Sequence, residues 1–464
     1  MNHLLLSEEQ IKSFKESFSG DVILPKDLEY QEARKIWNGL IDKKPGMIVY
    51  CNGSADVISA VNFARENNLI TAIRSGGHNV SGNCLCEGGV VIDLSRMNGV
   101  WVDPKKKVVK VQGGALWSDV DRETQVFGLM TPGGVVSSTG VAGLTLSGGI
   151  GWTRRKHGLT VDNLLSVDLI TAAGEYITAS EDENTDLFWA LKGGGGNFGI
   201  VTSFDFKLHE LGPEVMFAAT LYPIKYMDDV IDTWYDKSQE IPEEITLDMN
   251  IWSIPKSPMF PQELHHQKVA GIFGFYTGDS QKGEQALQFV REVAQPVADL
   301  SNRMPFTVVQ SAFDSVYPKN EQLHYWKSIY MDEINEKAWS IIKKYGQNRP
   351  VETILIFIRH FGGAVDRPDH ATAFGKRAKY LISIDSTWLD PKDTEKCIAW
   401  TQAFWNALRP YSNGQTYFGF AGSMEEQEEL VSPSFGTNYS RLEAIKAKYD
   451  PDNFFRLNQN IKPR

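Results

Sequence analysis

A chain of 464 residues, 42% hydrophobic and 23% charged, is long enough for two or more domains with large cores. A net charge of -11 excludes a surface built for nucleic acid or for an anionic membrane. No apolar run approaches the roughly 20 residues that span a bilayer, and the first residues lack the basic region of a secretory signal. Cys51, Cys84, Cys86 and Cys397 are too few and too scattered for a disulfide framework, so a reducing cytoplasm is expected. Cys84-Leu85-Cys86 has the wrong spacing for zinc and no histidine pair nearby, so no metal site is expected.

Residues 1–46 read as a cap with short helices near 7–18 and 30–41. Strand 47–50 leads to a helix capped by Ser54, with Val57, Ile58, Val61 and Ala64 at helical spacing, and strand 69–73 completes a β-α-β unit. The next loop is Arg74-Ser75-Gly76-Gly77-His78-Asn79. Adjacent glycines let backbone turn tightly beside a ligand, and successive free N–H groups form an anion nest. Arg74 adds a positive charge and His78 a nucleophilic ring nitrogen. That combination suits a diphosphate with a reactive ring attached, although an ordinary turn with a solvated histidine would have the same sequence.

Strands at 90–94, 99–102 and 108–111 and a helix at 116–127 follow. Residues 130–151 interleave glycines 133, 134, 140, 143, 148, 149 and 151 with Val, Leu and Ile, which suggests backbone packed against something flat. Ser137, Ser138 and Thr139 would point hydroxyls at it. Strands at 165–170 and 176–178 precede a helix at 186–192. Gly194, Gly196 and Gly199 then match the dinucleotide fingerprint, but a helix precedes them and a strand, 200–208, follows, the reverse of a Rossmann site. Leu211-Gly212-Pro213 breaks the pattern and marks a domain boundary. Beyond it, strands at 217–222, 246–252, 269–276, 351–359, 380–388 and 416–420 and helices at 228–237, 283–297 and 392–408 predict one antiparallel sheet with helices on one face. A last helix is expected at 439–449.

The runs at 74–79, 133–151, 155–164, 186–199 and 449–454, in this order and spacing, resemble the berberine-bridge-enzyme-like FAD-linked oxidases, part of the vanillyl-alcohol-oxidase (PCMH-type) flavoprotein superfamily. The resemblance covers nearly the whole chain. It implies an α+β fold: a PCMH-type FAD-binding domain at 1–212, a substrate domain at 213–420 whose helix-covered antiparallel sheet roofs the isoalloxazine, and a C-terminal return at 421–464. It also implies bound FAD. The pyrophosphate would lie on Arg74, Ser75, Gly76, Gly77, His78 and Asn79, with His78 bonded to the 8α-methyl. Gly134, Val136, Ser137, Ser138, Thr139, Gly140, Gly143 and Gly149 would line the ring and ribityl chain. Ile200 and Val201 would lie at the adenine end, and Asn458 on the return segment. Many members carry a cysteine, bonded to flavin C6, where this chain has Val136. Valine offers no thiolate, so a single link through His78 is expected.

In such enzymes a substrate C–H gives hydride to flavin N5 while a base takes a proton from the adjacent hydroxyl or amine. Tyr417 is the leading base candidate. It lies where the family has Tyr-x-Asn-Tyr, with Gly419 and Phe420 replacing the asparagine and second tyrosine, and its phenol must be lowered from about 10 to serve. Ser383 and Asp385 share one face of strand 380–388 and are the other candidates. Arg359 and His360 would either meet substrate or be salt-bridged. By the same resemblance, Thr139 would flank the edge where oxygen attacks. Its small volume favours an oxidase of a small alcohol, amine, sugar or phenol, with oxygen reduced to hydrogen peroxide. A dehydrogenase with another acceptor and a non-catalytic flavin binder are the alternatives. A monomer or small homo-oligomer is expected.

Overall fold

The strands Met47–Tyr50, Thr71–Arg74 and Val90–Asp93 are almost wholly buried, as parallel strands covered on both faces must be. They pair in parallel, with Val90–Asp93 in the middle, and Asp21–Ile23 adds an antiparallel edge. The crossover helix Ser54–Glu66 buries Val57, Ala60, Val61 and Ala64 against them, and Gly53, not Ser54, is its N-cap. The computed structural model describes residues 6–257, 260–367, 371–375, 377–422 and 427–464, so the first five residues of the predicted cap lie outside it. The second cap helix is a single turn, Tyr30–Ala33. Beyond it, Trp37 and Asn38 make long-range hydrogen bonds instead of helical ones, to Tyr317, Val80 and His324.

A second sheet is antiparallel, in the order Val100–Asp103, Val108–Gln112, Ile200–Lys207, Leu164–Ile170, Tyr176–Ser180. Helices Trp117–Gln125 and Thr185–Leu191 share its core. The glycine-rich stretch 130–151 contains a helix, Val141–Leu146, that its glycine content concealed.

The third sheet is the largest and is antiparallel throughout. Its order is Ala298–Asp299, Glu214–Pro223, Lys268–Tyr276, Ile245–Ser253, Leu355–His360, Tyr380–Trp388, Leu323–Met331, with Asn302–Pro305 pairing beside the first long strand. The period of two divides it cleanly. Met249, Ile251, Ile272, Ile356, Ile358, Ile382 and Ile384 pack against Trp234, Ile342 and Phe404 from three helices, Met227–Glu240, Glu336–Gln347 and Thr394–Leu408. Phe217, Phe273, Trp326 and Phe357 share a second cluster with Trp37, Val80, Met130 and Trp152 of the first half of the chain. The expected strand at 416–420 is not formed; Tyr417 precedes a single 3-10 turn, Phe418–Phe420.

Buried polar contacts join the two halves. Arg154 ion-pairs with Asp248 and donates to the His360 carbonyl at 2.9 Å, and Arg155 donates to the Ile245 carbonyl at 2.8 Å. The C-terminal segment docks through Lys446, which donates to Asp450 at 2.5 Å, the Asn197 carbonyl at 2.7 Å and the Phe455 carbonyl at 3.0 Å.

Asp121, on the helix Trp117–Gln125, is buried opposite Gln310, whose amide donates to it at 3.1 Å and to the Gly134 carbonyl at 3.1 Å. Burial pushes its carboxyl up to about 7. Between the ordinary carboxylate range and pH 7 the unfolded chain therefore loses a proton that the folded chain keeps, and folding weakens as pH rises. Asp121→Asn is expected to stabilise the protein on the order of 2 kcal/mol at pH 8 and not at pH 4. Urea midpoints at the two pH values check this, and an equal shift at both would contradict it.

Candidate active site

The first two sheets meet the aromatic face of the third across a cavity that begins at the 74–79 loop. Among the described residues, the backbone N–H groups of Ser75, Gly76, Gly77 and His78 donate to no protein acceptor. Gly77 takes φ +69°, a left-handed conformation open to glycine. A Cβ on Gly76 would lie 2.4 Å from the backbone nitrogen of Gly140, so the two loops touch backbone to backbone. Four free donors on one tight loop form the anion nest expected from sequence. Arg74 departs from its expected role. It is buried in an ion pair with Asp93, its partner across the parallel ladder, and does not reach the cavity wall.

Asn79, Gly134, Val136, Thr139, Gly140 and Gly143 line the wall, as do Ile200, Val201 and Asn458. Cβ atoms on Gly143 and Gly196 would meet nothing within 4 Å, so both glycines open onto the space. Ser137, Ser138 and Gly149 do not line it. The Ser137 hydroxyl donates to Asp314 at 2.5 Å and its N–H donates there at 2.8 Å. Gly149 lies behind the wall, where a Cβ would meet Thr160 at 2.1 Å. Ser138 turns its hydroxyl to His78, 2.9 Å from Nε2. The His78 ring stacks on Trp37, centroids 5.1 Å apart, and burial lowers its pKa to about 3, so the imidazole is neutral at pH 7. Trp37, Tyr317 and Trp326 line the cavity without having been singled out from sequence, and Phe420, noted there only as replacing a tyrosine, joins them.

At the far end, Tyr417 reaches the wall, but burial pushes its phenol up to about 12, opposite to what a base near neutrality needs. Asp385 and Ser383 do not line the cavity and lie behind Tyr317; Asp385 is 2% exposed, and burial pushes its carboxyl up to about 6, opposed by Arg359 and by the hydroxyls of Ser383 and Tyr317. Tyr317 donates to Asp385 Oδ2 at 3.4 Å, and among the described residues Oδ1 accepts no hydrogen bond. Ser383 accepts from Arg359 Nη1 at 2.8 Å, so it links the cation to the carboxyl. His360 lies elsewhere, with Nδ1 3.2 Å from Arg155.

The cavity fits FAD: a nest of free N–H groups for the pyrophosphate, glycines open to a flat ring, and a neutral histidine beside it. Fold and cavity define an FAD-linked oxidoreductase. Residues 45–180 match the FAD binding domain family, and residues 414–462 match the berberine and berberine-like family. An FAD-linked oxidoreductase of Dictyostelium discoideum is 30% identical over 98% of this chain and 97% of its own. The (R)-6-hydroxynicotine oxidase of Paenarthrobacter nicotinovorans is 27% identical over 96% of this chain and 97% of its own. The crystal structure of 6-hydroxy-D-nicotine oxidase from Arthrobacter nicotinovorans superposes with a TM-score of 0.84 at 26% identity, covering 96% of this chain and 98% of that one. BBE-like 1 of Physcomitrella patens shares the fold, with a TM-score of 0.87 at 22% identity, covering 98% of this chain and 99% of that one. The chain belongs to the berberine-bridge-enzyme-like FAD-linked oxidoreductases of the PCMH-type FAD-binding family.

Proposed function

We propose that this enzyme is an oxidase of a small alcohol or amine, with Asp385 as the proton acceptor and Tyr317 and Arg359 as its supports. The observation that carries this reading is a buried carboxyl, one oxygen of which accepts no hydrogen bond among the described residues, pushed up to about 6 and hydrogen-bonded to a tyrosine of the cavity wall. A base of that affinity is largely ionised at pH 7 and still accepts a proton readily. FAD held on the 75–78 nest would supply the hydride acceptor and the transfer of electrons to oxygen. Tyr317, whose phenol burial pushes well above 10, stays protonated and holds the carboxylate by its hydroxyl. Trp326 and Phe420 supply apolar walls that exclude water from the acceptor. Four buried, unpaired cysteines support a reducing, cytoplasmic setting. Anaerobic bleaching of the bound flavin by a panel of small alcohols, amines and sugars tests this reading; a panel without one reducing member contradicts it.

His78 would hold the flavin through its 8α-carbon, and Val136 rules out a thioether at that place. His78→Ala is expected to retain FAD on the free nest while making it fully extractable by acid. Mass spectrometry of the digested wild type should yield one flavin peptide, containing His78. Acid-extractable flavin in the wild type would remove the covalent assignment.

Thr139 lies on the wall beside Gly140, and we assign it the control of oxygen access. Thr139→Leu is expected to slow reoxidation by about tenfold, the added bulk narrowing a closely packed wall, and to leave reduction by substrate nearly unchanged. Equal reoxidation rates in aerated stopped flow would refute the gate.

A further inference from the structure

Arg359 lies behind the cavity wall, not on it, and holds no carboxylate among the described residues. It is 4% exposed, on the strand Leu355–His360, with its guanidinium 4.1 Å from the Phe357 ring centroid and 5.1 Å from that of Phe420. Of the other buried arginines, Arg74 and Arg154 hold carboxylates, Asp93 and Asp248, whereas Arg155 and Arg349 do not: Arg155 donates to backbone carbonyls and Arg349 to the Ser253 hydroxyl. Among the described residues Arg359 holds no carboxylate within 4.0 Å, and its one hydrogen bond goes to the Ser383 hydroxyl. Among the described residues its Nε and Nη2 make no hydrogen bond, and neither is among the fully buried unpartnered atoms.

A buried cation without a counter-ion is strongly destabilising unless something completes it. Asp385 lies close enough to feel the charge, but it reaches Arg359 through Ser383. Phe420, over which the guanidinium lies, is itself on the cavity wall next to Trp326, ring centroids 5.8 Å apart. The free Nε–Nη2 edge of a guanidinium matches the two oxygens of a carboxylate. One cation beside one acid suits a singly charged ligand better than a phosphate dianion, and the aromatic walls suit an apolar body.

We propose that Arg359 anchors a carboxylate of the substrate, so that the enzyme acts on a small monocarboxylic acid with an apolar or aromatic body. This rests on reading the cavity as the substrate site, but not on which residue takes the proton. The neighbouring carboxylate would also draw Arg359 away from Asp385 and so favour proton uptake there.

The test is calorimetric titration of the oxidised holoenzyme with benzoate and with its neutral isostere benzamide. The wild type is expected to bind benzoate at least about tenfold more tightly. Arg359→Gln should weaken benzoate by roughly 100-fold, as loss of one partner of a buried charge pair does, and leave benzamide within a few fold. Arg359→Lys should retain part of the preference. Unchanged benzamide binding and flavin content report that the variant site is intact. Benzoate no tighter than benzamide in the wild type, or the same ratio in Arg359→Gln, would overturn the proposal. No turnover is involved, so Asp385→Asn should keep the preference whether or not Asp385 is the base.

Discussion

Asp385→Asn is expected to slow anaerobic reduction of the flavin by roughly 10²–10⁴, the usual contribution of a positioned general base. The substitution keeps the shape and one acceptor for the Tyr317 hydroxyl, so folding and flavin content should be unchanged. Removal of a buried ionisable group also removes its desolvation cost, and the variant should be at least as stable as the wild type. Tyr417→Phe provides the contrast. Its phenol is pushed away from neutrality by burial. Loss of the hydroxyl should therefore reduce the rate by less than about tenfold, short of the usual contribution of a general base. Stopped-flow reduction rates of the two variants decide between the residues; a large effect at Tyr417 with a small one at Asp385 would restore the tyrosine.

The second large effect concerns stability. Lys446 and Asp450 are both 0% exposed, one helical turn apart. Lys446 also donates to the Asn197 and Phe455 carbonyls, while Asp450 accepts the Phe454 and Phe455 N–H groups at 2.7 and 2.9 Å. This cluster fastens the return segment, including Asn458, which donates to the Gly196 carbonyl at 2.9 Å. Lys446→Met leaves a buried carboxylate unpaired, which costs about 3–5 kcal/mol. Urea unfolding should show a loss of that size. Lys446→Met combined with Asp450→Leu should lose less than the sum of the two single changes, because neither charge is then left alone. Full additivity would mean that the pair is not coupled.

Much of this architecture was legible in order and spacing. The buried runs of the first sheet, the alternation along Tyr380–Trp388 and the reversed context of the 193–199 glycines each carry a local physical signal. What escaped was non-local. Leu323–Met331 reads poorly as a strand because His324 and Lys327 interrupt its apolar residues. In the fold His324 stacks on Trp37, centroids 3.8 Å apart, and Lys327 lies over Trp405 at 4.4 Å. Tyr317 precedes that strand in a polar stretch, and only the sheet brings it to Asp385, 68 residues away. Arg74 looked free because its partner, Asp93, is fixed by the register of a parallel ladder. Ser137 looked available because Asp314 is 177 residues distant. Tyr417 was favoured by its motif, but the burial that raises its phenol is not written in seven residues of sequence.

The pH dependence of anaerobic flavin reduction, measured with a reducing substrate in the wild type, Asp385→Asn and Tyr417→Phe, tests the central assignment most directly. A carboxyl pushed up to about 6 must be ionised to accept a proton, so the wild-type rate should fall as pH drops through about 6. That inflection should persist in Tyr417→Phe and vanish in Asp385→Asn, leaving a slow, nearly flat profile. An inflection that survives in Asp385→Asn, or that disappears with the Tyr417 hydroxyl, would place the proton acceptor elsewhere.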